Sequence, residues 1–425
     1  KKRAAAQGTH AWVRRLAGIA MDSGVKSLTS LIGKVSVGGG GSARAEEPAP
    51  GSGQANMAAV NGEPAQEAAP TPSKRELYEQ RVKDFEAILE GAEKRVDVAG
   101  LRQLAIGGVP DHKGNDLRAR TWKVLLGYLP RDRDAWAEVL REKRQQYAGF
   151  CEEFLVDPAQ MTSGEGDATG RNREGSLSTS QVDDDPLSTK SDSVWNKYFA
   201  DNEVKDQIAR DVERTHPDIG FFNNQDGSSD LHKECMRRSL FVFAKLNPGL
   251  AYVQGMNELL APLLWTFKTD PDPEQSAHAE ADAFFCFIEI MSEFRDHFCK
   301  QLDNSDSGIK ATMTRLLEYL QLHDYELWDH LTNRVKIDPQ YFAFRWITLM
   351  LTQEFHFPDL VRLWDTFLAD PKGRLDSLLR FCVTMLVSAR DMLLAGDFAS
   401  NLKLLQSYPP TDVSVLLRKS AQFEC

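Results

Sequence analysis

Val204-Lys205-Asp206-Gln207-Ile208-Ala209-Arg210-Asp211-Val212-Glu213-Arg214-Thr215-His216-Pro217 sets apolar side chains at i, i+4 and i+8 and ends on a proline. Val204, Ile208 and Val212 therefore share one stripe of an α-helix. The Pro217 ring clashes with helical continuation, so Arg214 is expected in the last turn. The same period runs through most of the chain. Upstream, Ser73-Lys74-Arg75-Glu76 reads as a capping box, and Tyr78, Val82, Phe85 and Leu89 follow as one helical stripe ending near Gly91. Gly107-Gly108-Val109-Pro110 reads as a turn, and 117–126 as a helix with Leu117, Thr121 and Leu125 in register. Downstream, 281–298, 342–355 and 375–394 read as long, largely buried helices. Leu375, Leu378, Leu379, Cys382, Leu386 and Ala389 form the stripe of the last. Thr411 or Asp412 caps a final helix running through Leu417. No hairpin signal competes and no solenoid period recurs, so the fold class is all-α.

Two stretches break the pattern. Residues 1–73 form a tail, expected to be flexible, that is basic at first and then rich in Gly, Ala and Pro. Its first 34 residues hold a single acid, Asp22, and place Trp12, Val13, Leu16, Ile19 and Ala20 at helical spacing around Arg14 and Arg15. That segment suits either a loose terminus or a peripheral membrane contact. Residues 157–192 are rich in Ser, Thr, Gly and Asp, include Asp183-Asp184-Asp185-Pro186, and read as a disordered insertion between helices. The first residue is Lys1 rather than Met, so the natural N-terminus is expected upstream.

Composition removes several function classes. A net charge of −11 over 425 residues argues against nonspecific nucleic-acid binding, which needs a basic field to displace phosphate counterions. The six cysteines form no CxxC pair and read as free thiols of a reducing compartment, which places the chain in the cytoplasm. No run of eighteen uncharged apolar residues predicts a membrane span. There is no GxxxxGK[ST]; Gly24-Val25-Lys26-Ser27 lacks the spacing and a preceding strand. GxSxG, HExxH and metal-spaced His/Cys clusters are also absent, so no cofactor or metal of its own is expected.

One constellation remains. Asn247-Pro248-Gly249-Leu250-Ala251-Tyr252-Val253-Gln254-Gly255-Met256-Asn257-Glu258 sets a glutamine between a Pro-Gly turn and a glycine. A slow GTPase needs its transition-state phosphate charge neutralised and its attacking water held in line. The planar, permanently charged fork of an arginine does the first; a glutamine amide, both donor and acceptor, does the second. Arg214 and Gln254 are those residue types. Asp211, at i−3, can brace the Arg214 guanidinium, and Gly255 leaves room for close approach to a nucleotide. Helix-end arginines and i, i+3 Asp–Arg pairs are also common on surfaces that do no chemistry. These spacings alone leave GTPase activation as one reading among several.

Four motifs in order narrow the choice. Gly108-Val109-Pro110 with Leu117-Arg118 and Trp122, Ile208-x-x-Asp211-x-x-Arg214, Tyr252-x-Gln254-Gly255, and Arg362-Leu363-Trp364-Asp365 resemble the TBC-domain Rab GTPase-activating family from Gly107 to near the C-terminus. Lys245-Leu246-Asn247-Pro248-Gly249, His278-Ala279-Glu280-Ala281-Asp282 and Gly396-Asp397-Phe398 resemble its member-13 branch. The resemblance implies an all-helical domain of two subdomains. Residues 74–156 hold N-terminal helices, with the domain starting from about 107. Residues 193–300 carry both fingers, and 301–425 form the C-terminal helical part. It implies that Arg214 and Gln254 act in trans on a GTP-bound Rab, which carries the GTP and Mg²⁺. Asp211 orients Arg214; Tyr252, Asn257 and Arg118 shape the site; Ile208, Trp122, Trp364 and Asp365 support it. The alternative is a helical scaffold that binds a Rab without accelerating hydrolysis.

Overall fold

The computed structural model describes residues 73–111, 116–155, 194–223, 227–303 and 305–423. The basic segment 1–34, the Gly/Ala/Pro-rich stretch as far as residue 72 and the 157–192 insertion lie outside them. Glu79–Cys425 is one compact unit; of the other unit, Lys1–Tyr78, only residues 73–78 are described.

The chain is all-α, with no strand among the described residues. Before the insertion come α1 (Lys74–Glu90), α2 (Val98–Ile106), α3 (Leu117–Leu125) and α4 (Trp136–Phe154). After it come α5 (Val194–Glu213), α6 (Ser228–Leu246), α7 (Met256–Lys268), α8 (Pro273–Ala277) and α9 (Ala279–Phe298). The remainder runs through α10 (Ile309–His323), α11 (Tyr325–Asp329), α12 (Ala343–Thr348), α13 (Phe357–Ala369), α14 (Arg374–Ser388), α15 (Arg390–Ala395), α16 (Phe398–Gln406) and α17 (Val413–Ser420).

The starts and stops follow local chemistry. Ser73 and Glu76 exchange the two hydrogen bonds of a capping box, 2.7 and 3.2 Å, and α1 ends at Glu90, just before Gly91. Asp97, Asp272, Asp324, Asp397 and Asp412 each accept a backbone N–H at the start of a helix, satisfying donors that have no partner inside it. The centre of the unit is α7, whose Leu259, Leu260, Ala261, Leu263 and Leu264 are buried around its whole circumference. A helix apolar on every side must be enclosed. It is packed by α9, α6, α5 and α3.

Two expected helices are broken. The stretch 342–355 is helical only over Ala343–Thr348; Met350 and Leu351 then take positive φ of 48° and 62°. The bend aims the Met350 carbonyl at Trp364 Nε1, 3.3 Å away, so tertiary contact outweighs helical periodicity. The stretch 375–394 divides at Ala389 into α14 and α15, where the Arg390 guanidinium turns to Asp324 at 2.8 Å.

A clamp joins the ends of the unit. Asp365, in α13, is fully buried. Its Oδ1 accepts from Trp122 Nε1 (2.8 Å) and Arg118 Nε (3.1 Å), and its Oδ2 from the Val109 N–H (2.9 Å) and Arg118 Nη2 (3.2 Å). Arg362, one turn earlier, donates to the Ile106 carbonyl at the end of α2 (3.0 Å). Gly108 lies between these contacts at φ +91°; a Cβ there would come 2.4 Å from Arg362 Nε, so only glycine fits. The sequence motifs around Val109, Trp122 and Asp365 are thus halves of one contact. Asp365→Ala would leave the buried Trp122 Nε1 and Val109 N–H without their acceptor and Arg118 with only Asp111 (2.6 Å) and the Val109 carbonyl (2.9 Å), and should cost about 3 kcal/mol of folding stability in urea denaturation.

Candidate functional site

The second buried carboxylate sits where α5 ends. Ile208, 1% exposed, fixes the last turns of that helix against the core. The helix stops at Glu213, so Arg214 falls just past its end rather than within the last turn, and the Arg214 N–H bonds back to the Asp211 carbonyl in a tighter turn (3.3 Å). Asp211 is buried and Arg214 is not, with side chains 6% and 57% exposed. Asp211 Oδ1 takes the Arg214 Nη2 donor at 2.7 Å, and Oδ2 takes the Tyr252 hydroxyl at 2.7 Å. Burial and the Asp211 carboxylate together push the Tyr252 phenol well above its ordinary value, so it remains a donor.

Asn257 locks the Tyr252 loop to the end of α5. Its amide donates to Thr215 Oγ1 (2.9 Å), and its Oδ1 accepts the Gly255 N–H (3.2 Å). Gly255 has φ +105°, and a Cβ there would press to 2.7 Å from Leu349 Cδ2. The glycine therefore lets the loop pass under Leu349, beside the bend that receives Trp364. Gln254 precedes it, half-buried, with no hydrogen bond from its side chain among the described residues. An arginine held at its base and a glutamine held through its backbone thus stand on two loops joined by Asp211, Tyr252 and Asn257.

Ile208, Asp211, Arg214, Tyr252, Gln254, Gly255 and Asn257 are brought together in this way. Arg118, Trp122, Trp364 and Asp365 belong to the clamp instead, with the Trp122 and Trp364 ring centroids 5.9 Å apart. They adjoin the site through the 349–351 bend and through the packing of α3 on α7.

Sequence reasoning passed over Thr215, Glu258 and His216. Glu258 gave a signal, as a carboxylate in the first turn of a helix otherwise apolar all round; Thr215 gave none. Glu258 lies 3.4 Å from His216 Nε2, and the His216 ring meets Phe357 edge-on at 5.0 Å. Burial raises the Glu258 carboxyl to about 7 and lowers the His216 imidazole to about 4. Near pH 7 the imidazole is therefore uncharged and the carboxyl about half ionised.

Among the described residues no group of His, Cys, Asp or Glu is arranged to hold a metal ion, and no helix is long and apolar enough to cross a membrane. The described cysteines are free, with Cys286 and Cys382 buried.

A profile of the Rab-GTPase-TBC domain matches residues 115–394. The chain is 38% identical to TBC1 domain family member 13 of Homo sapiens, over 82% of this chain and 98% of that one. It is 32% identical to a TBC domain-containing protein of Schizosaccharomyces pombe, over 82% of this chain and 73% of that one. The crystal structure of the Ypt/Rab-GAP domain of Gyp1p superposes with a TM-score of 0.63 at 23% identity, covering 81% of this chain and 98% of that one.

The Glu258 carboxyl provides a check on the site. An unfolded glutamate ionises near 4.5 and this one near 7. Raising the pH through that window charges the unfolded chain first and lowers the stability of the wild type. Glu258→Gln removes the loss. The stability difference, read from urea unfolding at pH 5, 6, 7 and 8, should widen in the variant's favour by up to about 3 kcal/mol as pH rises. His216 acts with the opposite sign, its stability contribution being lost only as pH falls below its unfolded value, so the comparison is read at pH 7 and 8 against pH 6.

Proposed function

The chain belongs to the Rab-GTPase-TBC domain family, and from that membership we propose that it accelerates GTP hydrolysis by a Rab-type small GTPase in trans. The observation that carries this reading is the division of one buried carboxylate, Asp211, between an exposed arginine and a buried tyrosine. A guanidinium tethered at one nitrogen still offers its other N–H groups to a partner's phosphates, and loses little conformational freedom when it engages them. Arg214 enters the nucleotide site of the GTP-bound Rab and neutralises charge on the transferring phosphoryl group. Gln254, whose amide has no hydrogen-bond partner among the described residues, holds the attacking water in line. GTP and Mg²⁺ come with the Rab. The work is done in the cytoplasm, and the basic segment 1–34 supplies any peripheral membrane contact.

Supplying an arginine finger raises GTPase rates roughly 10³–10⁵-fold, a barrier change of about 4–7 kcal/mol. Single-turnover hydrolysis by a panel of purified GTP-loaded Rabs should show acceleration of one or a few members. Arg214→Ala should abolish most of it, and Arg214→Lys should not restore it, because an ammonium cannot reproduce the fork. Gln254→Ala should be severely impaired while still binding the Rab. A stable GTP-bound complex with no acceleration by the wild type would instead identify a scaffold.

A further inference from the structure

Beside Arg214 lies an open groove of about 720 Å³. It is built from the turn after α5, the first turn of α7, the 352–359 bend leading into α13, and the 408–412 segment before α17. Its walls are apolar and stiff: Pro217, Phe355, Phe357, Tyr408, Pro409 and Pro410. Its rim is acidic. Asp218, Asp359 and Asp412 are exposed there, and the only lysine or arginine among the lining residues is Arg214, already engaged with Asp211. Asp412 caps α17, whereas Asp218 and Asp359 have no ion-pair or hydrogen-bond partner among the described residues.

The floor supplies a second, independent sign of a ligand. Thr352 and His216 both line the groove; Thr352, 1% exposed, has its Oγ1 buried without a hydrogen-bond partner, while His216 Nε2 has Glu258 beside it at 3.4 Å. Buried polar atoms are ordinarily paired. An unpaired hydroxyl beneath an open groove marks a surface completed by something from outside the chain.

We propose that this groove is a selectivity site for the GTPase, receiving a segment in which a lysine or arginine projects beside an apolar side chain. The inference rests on the activator reading above. Arg214 lines the groove and is also the residue that must enter the nucleotide site, so a GTPase that takes the arginine has to lie over the groove. The apolar part of the segment packs on Phe355, Tyr408 and the prolines, its basic head meets Asp218 and Asp359, and its polar backbone satisfies the floor. Substrates lacking that basic side chain leave the two carboxylates uncompensated, so the groove discriminates among Rabs by charge.

The test uses the full chain and the Rab that the wild type accelerates in the panel. Asp218→Lys/Asp359→Lys should raise KM about tenfold or more while leaving kcat near its wild-type value, because rim charges govern encounter rather than chemistry. Asp218→Asn/Asp359→Asn, which places no positive charge on the rim, should give an intermediate KM. The wild-type KM should also rise with ionic strength, and the Lys variant should lose that dependence. Wild-type acceleration with KM unchanged in both variants would overturn the groove proposal and leave the activator reading intact. Absence of acceleration by the wild type on every Rab would overturn the activator reading, and this inference with it.

Discussion

A carboxylate taken out of water has to be surrounded by donors or it does not stay charged and buried, and three such groups organise this molecule. Asp365 accepts from Arg118, Trp122 and the Val109 N–H. Asp282 accepts from Lys123 (2.7 Å), Tyr128 (2.7 Å) and Arg144 (2.8 and 3.0 Å). Asp211 accepts from Arg214 and Tyr252. Asp365 and Asp282 gather donors from elements far apart in the chain, and losing either carboxylate would leave buried donors unpaired in a low-dielectric interior; Asp211 joins its neighbour Arg214 to the distant Tyr252. The apolar core around α7 supplies the bulk of the burial. The carboxylates decide which helices meet and at what register.

The third of these carboxylates differs from the others in a way that matters for function. Asp282 and Asp365 are enclosed by their donors. Asp211 is saturated on its inner side by Tyr252 and holds on its outer side an arginine that remains largely in water. The same physical requirement that closes the fold elsewhere here produces a fixed base for an exposed cation. Asn257 extends the arrangement to the neighbouring loop, so the backbone at Gln254 is placed by the same hydrogen-bonded group that places Arg214. Coupling the two loops through buried polar groups sets their separation without any contact between the two side chains that are proposed to act.

Much of the fold was legible because helices announce themselves locally. The stripe at Tyr78, Val82, Phe85 and Leu89, the capping box at Ser73 and the stop at Gly91 each depend on residues within a turn or two of one another, and α1 follows them. The pairs at the site were legible for a similar reason: Asp211 and Arg214 are one helical turn apart, and Gln254 and Gly255 are adjacent. The stretch 342–355 misled because its periodicity is helical while its conformation is not. Met350 and Leu351 adopt left-handed backbone so that a carbonyl can reach Trp364. Glu258 and His216, whose proximity is set by the turn after α5, could not be paired from spacing.

By itself, the sequence determined what short-range physics controls: the helical class, the caps, and the arginine and glutamine residue types available at 214 and 254. The tertiary structure alone decided which carboxylate meets which cation, where two long apolar runs break, and that Arg214 borders an aromatic groove with an acidic rim. Those outcomes depend on contacts between residues as far apart as Val109 and Asp365, and no local pattern records which distant side chain will fill a given donor's demand once the helices pack.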